Sequence, residues 1–304
     1  MSEAFYTDKD RIRASFERAA SSYDAAAVLQ REVSDRMAER LSYIKHQPQL
    51  ILDAGTGTGY GAAQLRAQYP DAQIVELDLA HAMLCASRER QRAGDGLLKK
   101  LFKRSQPWQV CADVERLPLA DNSVDMIWSN LTIQWVNIPD SVFSEFERVL
   151  KPDGMLMFST LGPDTLFELR EAFGGVDHAT HVNQFIDMHD LGDALMRVGF
   201  AEPVMDMDKI VLTYDKVRDV MHDLKAIGAH NATRDRGRGL MGKQAWQRVE
   251  AHYEARRRDG KLPATYEVVY GHAWKSRLKK KGNTLPDGRQ VIEFVKPGSW
   301  PGKA

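Results

Sequence analysis

Three carboxylates and three glycines carry the first chemistry legible in this chain. Asp53 closes the apolar run Leu50-Ile51-Leu52, and glycine then recurs at every second position, at Gly55, Gly57 and Gly59. The pattern predicts a buried parallel strand entering a tight loop, with a helix beginning near Tyr60. Glycine lets the backbone close around a ligand and visit positive φ without a side-chain clash. The helix that follows points free N–H groups over the loop. The next apolar run ends in Asp78, roughly twenty residues further on, where a carboxylate accepts hydrogen bonds from a ribose diol. A third, Asp113, follows another apolar stretch. The pattern asks for a nucleoside-like ligand.

Such loops need strands to hold them. Strand patterns occur at 50–53, 74–78, 108–112, 124–129, 155–160 and 204–212, with a last one over 265–274. Helical periodicity fits between them at 61–68, 83–93, 140–150 and 190–198. This alternation predicts an α/β fold, a mostly parallel seven-stranded sheet with helices on both faces and ligands at the carboxyl ends of the strands. Residues 8–46 read as a helix ahead of the sheet, with Ile12, Phe16, Tyr23, Val33 and Met37 on its apolar side. A single domain spanning 1–304 is expected, with a sheet core over 48–214 plus the strand at 265–274. A helical cap is expected from 8–46, 161–187 and 215–262, and a tail from 275–304. The stretch 161–185 reads as loop-rich, and the basic segment Gly94–Gln106 as a surface excursion.

Composition narrows the class. The 304 residues balance 42 Lys and Arg against 42 Asp and Glu, so bulk charge points to neither nucleic acid nor an acidic membrane. Cys85 and Cys111 lie far apart and outside any CxxC pattern, which suggests a reducing compartment. The charged start lacks a signal-peptide pattern, and no window is long enough to span a bilayer, so a cytoplasmic protein is expected. His178-x-x-His181 is half of a metal pattern that nothing completes, and no metal is expected.

Two ligands fit the glycine loop. Gly57-x-Gly59-x-x-Ala62 satisfies a loose dinucleotide fingerprint. In an S-adenosylmethionine reading the backbone instead wraps an amino-acid end, oriented by Asp53. The run Cys111-Ala112-Asp113-Val114-Glu115-Arg116-Leu117-Pro118-Leu119 separates them, together with a strand opening at Asp125 and ending Ser129-Asn130. These features resemble the class I (Rossmann-like) S-adenosylmethionine-dependent methyltransferases. The resemblance implies that Asp113 contacts the adenine amino group and Val114 packs on the ring. Asp53, Gly55, Gly57, Gly59, Asp78, Leu79 and Asn130 then complete a cofactor site, with Tyr23 as a candidate lid. In that family the loop carrying Gln134 and Trp135 builds the reaction pocket. Arg148 to Gly154 resembles the family's R-x-L-K-P-G-G turn, with Asp153 in place of one glycine and Gly154 suited to positive φ. Arg148 is a candidate for a substrate carboxylate, against the alternative of a structural ion pair.

Five segments are more selective. They are Phe16-Glu17-Arg18-Ala19-Ala20-x-x-Tyr23-Asp24 with Leu29-Gln30-Arg31, then 52–59, Ser129-Asn130-Leu131 with Gln134-Trp135, Leu224-Lys225-x-Ile227-Gly228-Ala229, and 262–271. Together they resemble the malonyl-acyl-carrier-protein O-methyltransferases of biotin synthesis, over residues 10–274. The resemblance implies methylation of the free carboxylate of a malonyl thioester on acyl carrier protein. A carboxylate is already ionised at neutral pH, so no general base and no catalytic residue in that sense are expected. Alignment and exclusion of water would supply the rate. Lys225, His230 and Arg234 join Gln134, Trp135 and Arg148 as candidate substrate-binding residues. Arg256-Arg257-Arg258 and Lys275–Lys281 are candidates for docking an acidic carrier. Two other readings share the cofactor loop: a small-molecule carboxyl or quinone methyltransferase, and a respiratory-complex assembly factor that binds the cofactor without esterifying a carboxylate. Arg234 sits among the selective features, so Arg234→Ala is expected to raise KM for the malonyl substrate and spare S-adenosylmethionine affinity. Unchanged steady-state kinetics would remove it from the site.

Overall fold

Apolar runs bounded by glycine and aspartate build the sheet on which everything else is mounted. The structure is a computed structural model that describes residues 6–94, 108–176, 179–229, 231, 233 and 241–277. Its strands are β1 Leu50–Ala54, β2 Gln73–Asp78, β3 Trp108–Cys111, β4 Val124–Ser129, β5 Leu150–Leu161, β6 Phe200–Tyr214 and β7 Leu262–Lys275. They form one sheet in the order β3-β2-β1-β4-β5-β7-β6. The pairs from β3 to β5 are parallel, and β7 runs antiparallel to both β5 and β6. Asp53 pairs with Glu76 and Trp128, and Asp78 with Cys111. The register thus brings the three acidic strand ends to one edge of the sheet.

Ten α-helices are described: α1 Lys9–Ala19, α2 Tyr23–Ala26, α3 Val28–Ser42, α4 Tyr60–Gln68, α5 His81–Gly94, α6 Pro139–Val149, α7 Phe167–Gly174, α8 Met188–Val198, α9 Val217–Ala226 and α10 Lys243–Glu254. Helical spacing puts Val142, Phe143, Phe146 and Val149 of α6 on one side, and all four are fully buried against one sheet face with Leu191 and Leu195 of α8. Each such side chain contributes about 1.5–3 kcal/mol of burial. The opposite face is covered by Val33, Met37 and Leu41 of α3, Leu65 of α4, and apolar residues of α7, α9 and α10. No helix among the described residues is long and apolar enough to cross a membrane.

Three local expectations are corrected. The helix read over 8–46 is three helices, because the chain bends at Ser22 and Ala27; Ser22 Oγ donates to the Ala226 carbonyl at 3.0 Å and holds the bend against the end of α9. The stretch read as loop-rich contains α7, whose buried Leu169, Ala172 and Phe173 span too few turns for a helical period to show beside two glycines. Near the start of β5 the positive φ belongs to Asp153, at 62°, and not to Gly154. Gly154 is needed for space instead: a Cβ there would lie 2.7 Å from the Lys151 carbonyl oxygen. The segment 95–106 and the tail beyond 277 lie outside the described residues.

β7 is pressed against β5 at Gly271, which pairs with the fully buried Phe158. A Cβ at position 271 would stand 2.4 Å from Phe158 Cζ and 2.9 Å from Met205 Sδ. Gly271→Ala is expected to destabilise the fold by about 1–3 kcal/mol through overpacking. A lower urea midpoint at unchanged m-value is the readout.

Candidate functional site

The loop after β1 is built by φ angles that favour glycine: Gly55, Gly57 and Gly59 lie at 83°, 54° and 80°. A Cβ on Gly55 would meet Thr132 Oγ1 at 2.0 Å, and one on Gly59 would meet Ser87 Oγ at 2.1 Å. Gly57 has no such neighbour closer than Tyr23 Cε1 at 4.0 Å, so it faces the cleft and is glycine for its backbone angle. Gly59 caps α4 and rests on Ser87 of α5. Asp78 ties the loop down: its Oδ2 accepts from Gly57 N at 2.9 Å and its Oδ1 from Ala80 N at 2.8 Å. Burial nevertheless pushes the Asp78 carboxyl up to about 6. Asp53 is 2% exposed and accepts from Thr56 Oγ1 at 2.7 Å. Burial dominates there too and pushes its carboxyl up to about 7.

Over this loop lie two joined compartments. The first is walled by Gly55, Gly57, Asp78, Leu79, Val114 and Asn130, with Asp113 at one end beside Lys9. Asp113 Oδ1 accepts from Glu115 N at 3.0 Å, and Oδ2 is ion-paired with Lys9. The second compartment is polar and includes Asp53, Thr58, Gln30, Arg31, Tyr60 and Trp128. Two atoms of its lining residues, Gln30 Oε1 and Trp128 Nε1, are buried without a hydrogen-bond partner. One is an acceptor and the other a donor, which is what the α-ammonium and α-carboxylate of an amino-acid end would satisfy. The residues present therefore fit S-adenosylmethionine, with the nucleoside in the first compartment and the amino acid in the second.

The roof is the N-terminal segment, pinned from three sides. Glu17 accepts from His81 N and Ala82 N, at 2.8 and 2.9 Å, at the start of α5. Asp24 accepts from Thr58 Oγ1 at 2.6 Å, fastening α2 to the glycine loop. Phe16 packs edge-on against Trp135, with centroids 5.4 Å apart. Tyr23 lines both compartments and also a third, where burial, with Asp78 and Asp24 adding to it, raises its phenol and keeps it a neutral donor.

That third compartment, where the Gln134–Trp135 loop puts the expected acceptor side, is walled by Gln30, Leu131, Gln134, Trp135, Phe185 and Tyr266 among others. No Lys, Arg, His, Asp or Glu lines it among the described residues. Leu131 sits at φ 48°, with its N–H donating to the Ser159 carbonyl at 3.1 Å. Strain of this kind gathers at functional sites, and the Leu131 carbonyl accepts from Gln134 Nε2 at 2.6 Å. Asn130 donates from Nδ2 to the Gln30 carbonyl at 3.0 Å and accepts from Ser159 Oγ at 2.8 Å, joining the roof to β5.

Other candidates lie elsewhere. Arg148 is at the amino end of β4, away from the cleft, and its guanidinium is used by Glu145, Asp121 and the carbonyls of Leu117 and Leu119, each within 2.8–2.9 Å. Its hydrogen bonds hold the Glu145 carboxyl below the usual range. The structural ion pair is its role, and the substrate-carboxylate assignment is corrected. Lys225 is exposed on α9 and lines no compartment. Arg256 pairs with Glu171, Arg257 with Glu254, and Lys275 reaches the Glu147 carbonyl at 2.5 Å, so none of these is a free docking charge. His230, Arg234 and His178 lie outside the described residues. Lys9 is a partner the sequence does not advertise: it follows the helix cap Asp8, and only the fold brings it to Asp113.

A family model described as Methyltransferase domain matches residues 52–158. The malonyl-[acyl-carrier protein] O-methyltransferase of Laribacter hongkongensis is 67% identical over 294 residues, covering 97% of this chain and 98% of that one. The protein of that name from Gallionella capsiferriformans is 61% identical, over 92% and 96% of the two chains. Among solved structures, the YcgJ protein of Bacillus subtilis superposes with a TM-score of 0.55 at 15% identity, over 80% of this chain and 98% of that one. The last likeness concerns the fold alone.

Asp78 can accept both ribose hydroxyls only as a carboxylate, so S-adenosylmethionine affinity is expected to fall as pH drops through about 6 and to level off above it. Asp78→Asn should weaken binding about tenfold or more, the loss of about 1.5–3 kcal/mol of charge-assisted hydrogen bonding, and flatten the profile. Titration calorimetry across that range is the check.

Proposed function

The chain belongs to the malonyl-[acyl-carrier protein] O-methyltransferase family, and from that premise we propose that it transfers a methyl group from S-adenosylmethionine to the free carboxylate of a malonyl thioester on acyl carrier protein. One observation carries the choice of acceptor. The general methyltransferase match ends at residue 158, whereas the 67% identity continues over 97% of the chain and so through the cap that walls the acceptor side. The ester would mask the malonyl charge for elongation toward the biotin precursor. A cytoplasmic reaction without nucleic acid or membrane is part of this reading.

When bound, S-adenosylmethionine supplies an electrophilic methyl group on a sulfonium. Asp78 and Asp113 would hold the nucleoside, and Gln30 and Trp128 the amino-acid end. The carboxylate arrives ionised, and the chain has only to aim it. Tyr23, Gln30 and Gln134 offer neutral donors on the acceptor side, while Phe16 and Trp135 keep water from the methyl. Neutral donors can hold a nucleophile without over-stabilising a charge that disappears in the product. His230 and Arg234 stay as proposed carboxylate partners, supported by Ala229, which lines the acceptor side, and by Asn231 in the adjoining cavity.

Intact-mass analysis tests the reading. Malonyl-acyl carrier protein incubated with the protein and S-adenosylmethionine is expected to gain one methyl ester, removed by mild ester hydrolysis, and acetyl-acyl carrier protein none. No gain alongside measured cofactor binding would overturn the acceptor.

A further inference from the structure

The acceptor compartment continues beyond its own walls. Leu166, Asn183, Phe185, Leu224 and Ala229 also line a further cavity of about 250 Å³. It runs between residues 180–185 and α9, out to Met221, which is 37% exposed. Apolar walls from Leu166, Leu169 and Val182 are interrupted by the amides Asn183 and Asn231. Asn231 is held in place: it reaches the Thr180 carbonyl through Nδ2, and its Oδ1 accepts from Thr233 N and Oγ1 at 2.9 and 2.7 Å. A second route, past Gln134 and Phe185, leads only to a cavity of about 20 Å³. Thr7 shuts it by donating to Asn137 Oδ1 from its N at 2.7 Å.

We propose that the larger cavity is a channel for the pantetheine arm of the acyl thioester, with Met221 at its mouth and Lys225 meeting the arm's phosphate. The inference rests on the reading of the acceptor as a carrier-linked malonyl thioester. A pantetheine arm is a long, thin chain in which two amides alternate with apolar segments, including a gem-dimethyl group. Burying it takes apolar walls with amide partners at intervals, since a buried amide left unpaired loses its hydrogen bonds to water without replacement. The cavity supplies that alternation, and a small free acid would have no use for it. Lys225 follows Met221 by four residues on α9 and so shares its face. Its ammonium is exposed and has no ion pair among the described residues. That is the place and the charge for a phosphodiester emerging from the mouth.

The experiment narrows the mouth with Met221→Trp and the interior with Val182→Trp. Methylation is compared on malonyl-acyl carrier protein, on malonyl-coenzyme A, which has the whole arm but no carrier, and on malonyl-N-acetylcysteamine, which has only the arm's end. Binding of free 4′-phosphopantetheine is followed by calorimetry, and S-adenosylmethionine affinity reports folding. Expected is a rise of about tenfold in KM for both full-arm substrates relative to the short one, with weaker phosphopantetheine binding. Lys225→Ala should weaken phosphopantetheine binding in the same sense. Equal effects on all three substrates, an effect on the carrier-linked substrate alone, or unaltered KM in both variants would overturn the channel. Phosphopantetheine binding that is lost in the variants, without methyl ester formation by the wild type, would support the channel and sink the reading of the acceptor.

Discussion

The ligand loop hangs on a single carbonyl. Leu77 O, at the end of β2, accepts both Gly55 N and Thr56 N, at 2.8 and 2.9 Å, and Asp78 next door takes Gly57 N. Three successive N–H groups of the loop are thereby referred to one neighbouring strand. Beneath them lies Glu76, with no exposed surface, paired with Arg66 and accepting from Ser87 Oγ at 2.6 Å and Gln109 Nε2 at 2.8 Å. A buried carboxylate is tolerated only when its oxygens are satisfied, and satisfying Glu76 places Ser87 under Gly59. The floor of the site is therefore a polar network, and Gly59 above it is glycine because Ser87 of that network leaves no room.

The acceptor side is built on the opposite principle. Where the cofactor compartments carry carboxylates, hydroxyls and orphaned polar atoms, the described acceptor walls carry aromatic rings, aliphatic chains and neutral amides. The two environments meet at Tyr23, Asn130 and the strained Leu131. Such a boundary serves a reaction in which opposite charges are both cancelled: polar groups are kept for binding the cofactor's ends, and the reacting centre is left without fixed charge to lose.

The parts of this arrangement that could be read in the chain are those set by local chemistry. Gly55, Gly57 and Gly59 at alternate positions could only be a loop in left-handed conformations, and acidic residues closing apolar runs had to fall on the same sheet edge. What escaped was set by contacts between distant segments. Lys9 finds Asp113 across a separation no periodicity records. α7 is a helix because β7 and α10 bury it, although its own sequence is short and followed by glycine. Asp153 took the left-handed position and left Gly154 the crowded one, and which of two adjacent turn residues does each task depends on the carbonyl behind them. Arg148 illustrates the converse: its residue type suited a substrate carboxylate, and only placement at the far end of β4 shows that Glu145 and Asp121 claim it.

Tyr23 divides three spaces and belongs to a segment that is pinned to the glycine loop on one side and, through Ser22, to the end of α9 on the other. The nucleoside compartment and the compartment walled by Gln134 and Trp135 therefore lie on different sides of one side chain. In kinetic language, such a partition suits a sequential mechanism, in which both reactants meet across Tyr23 before anything is released.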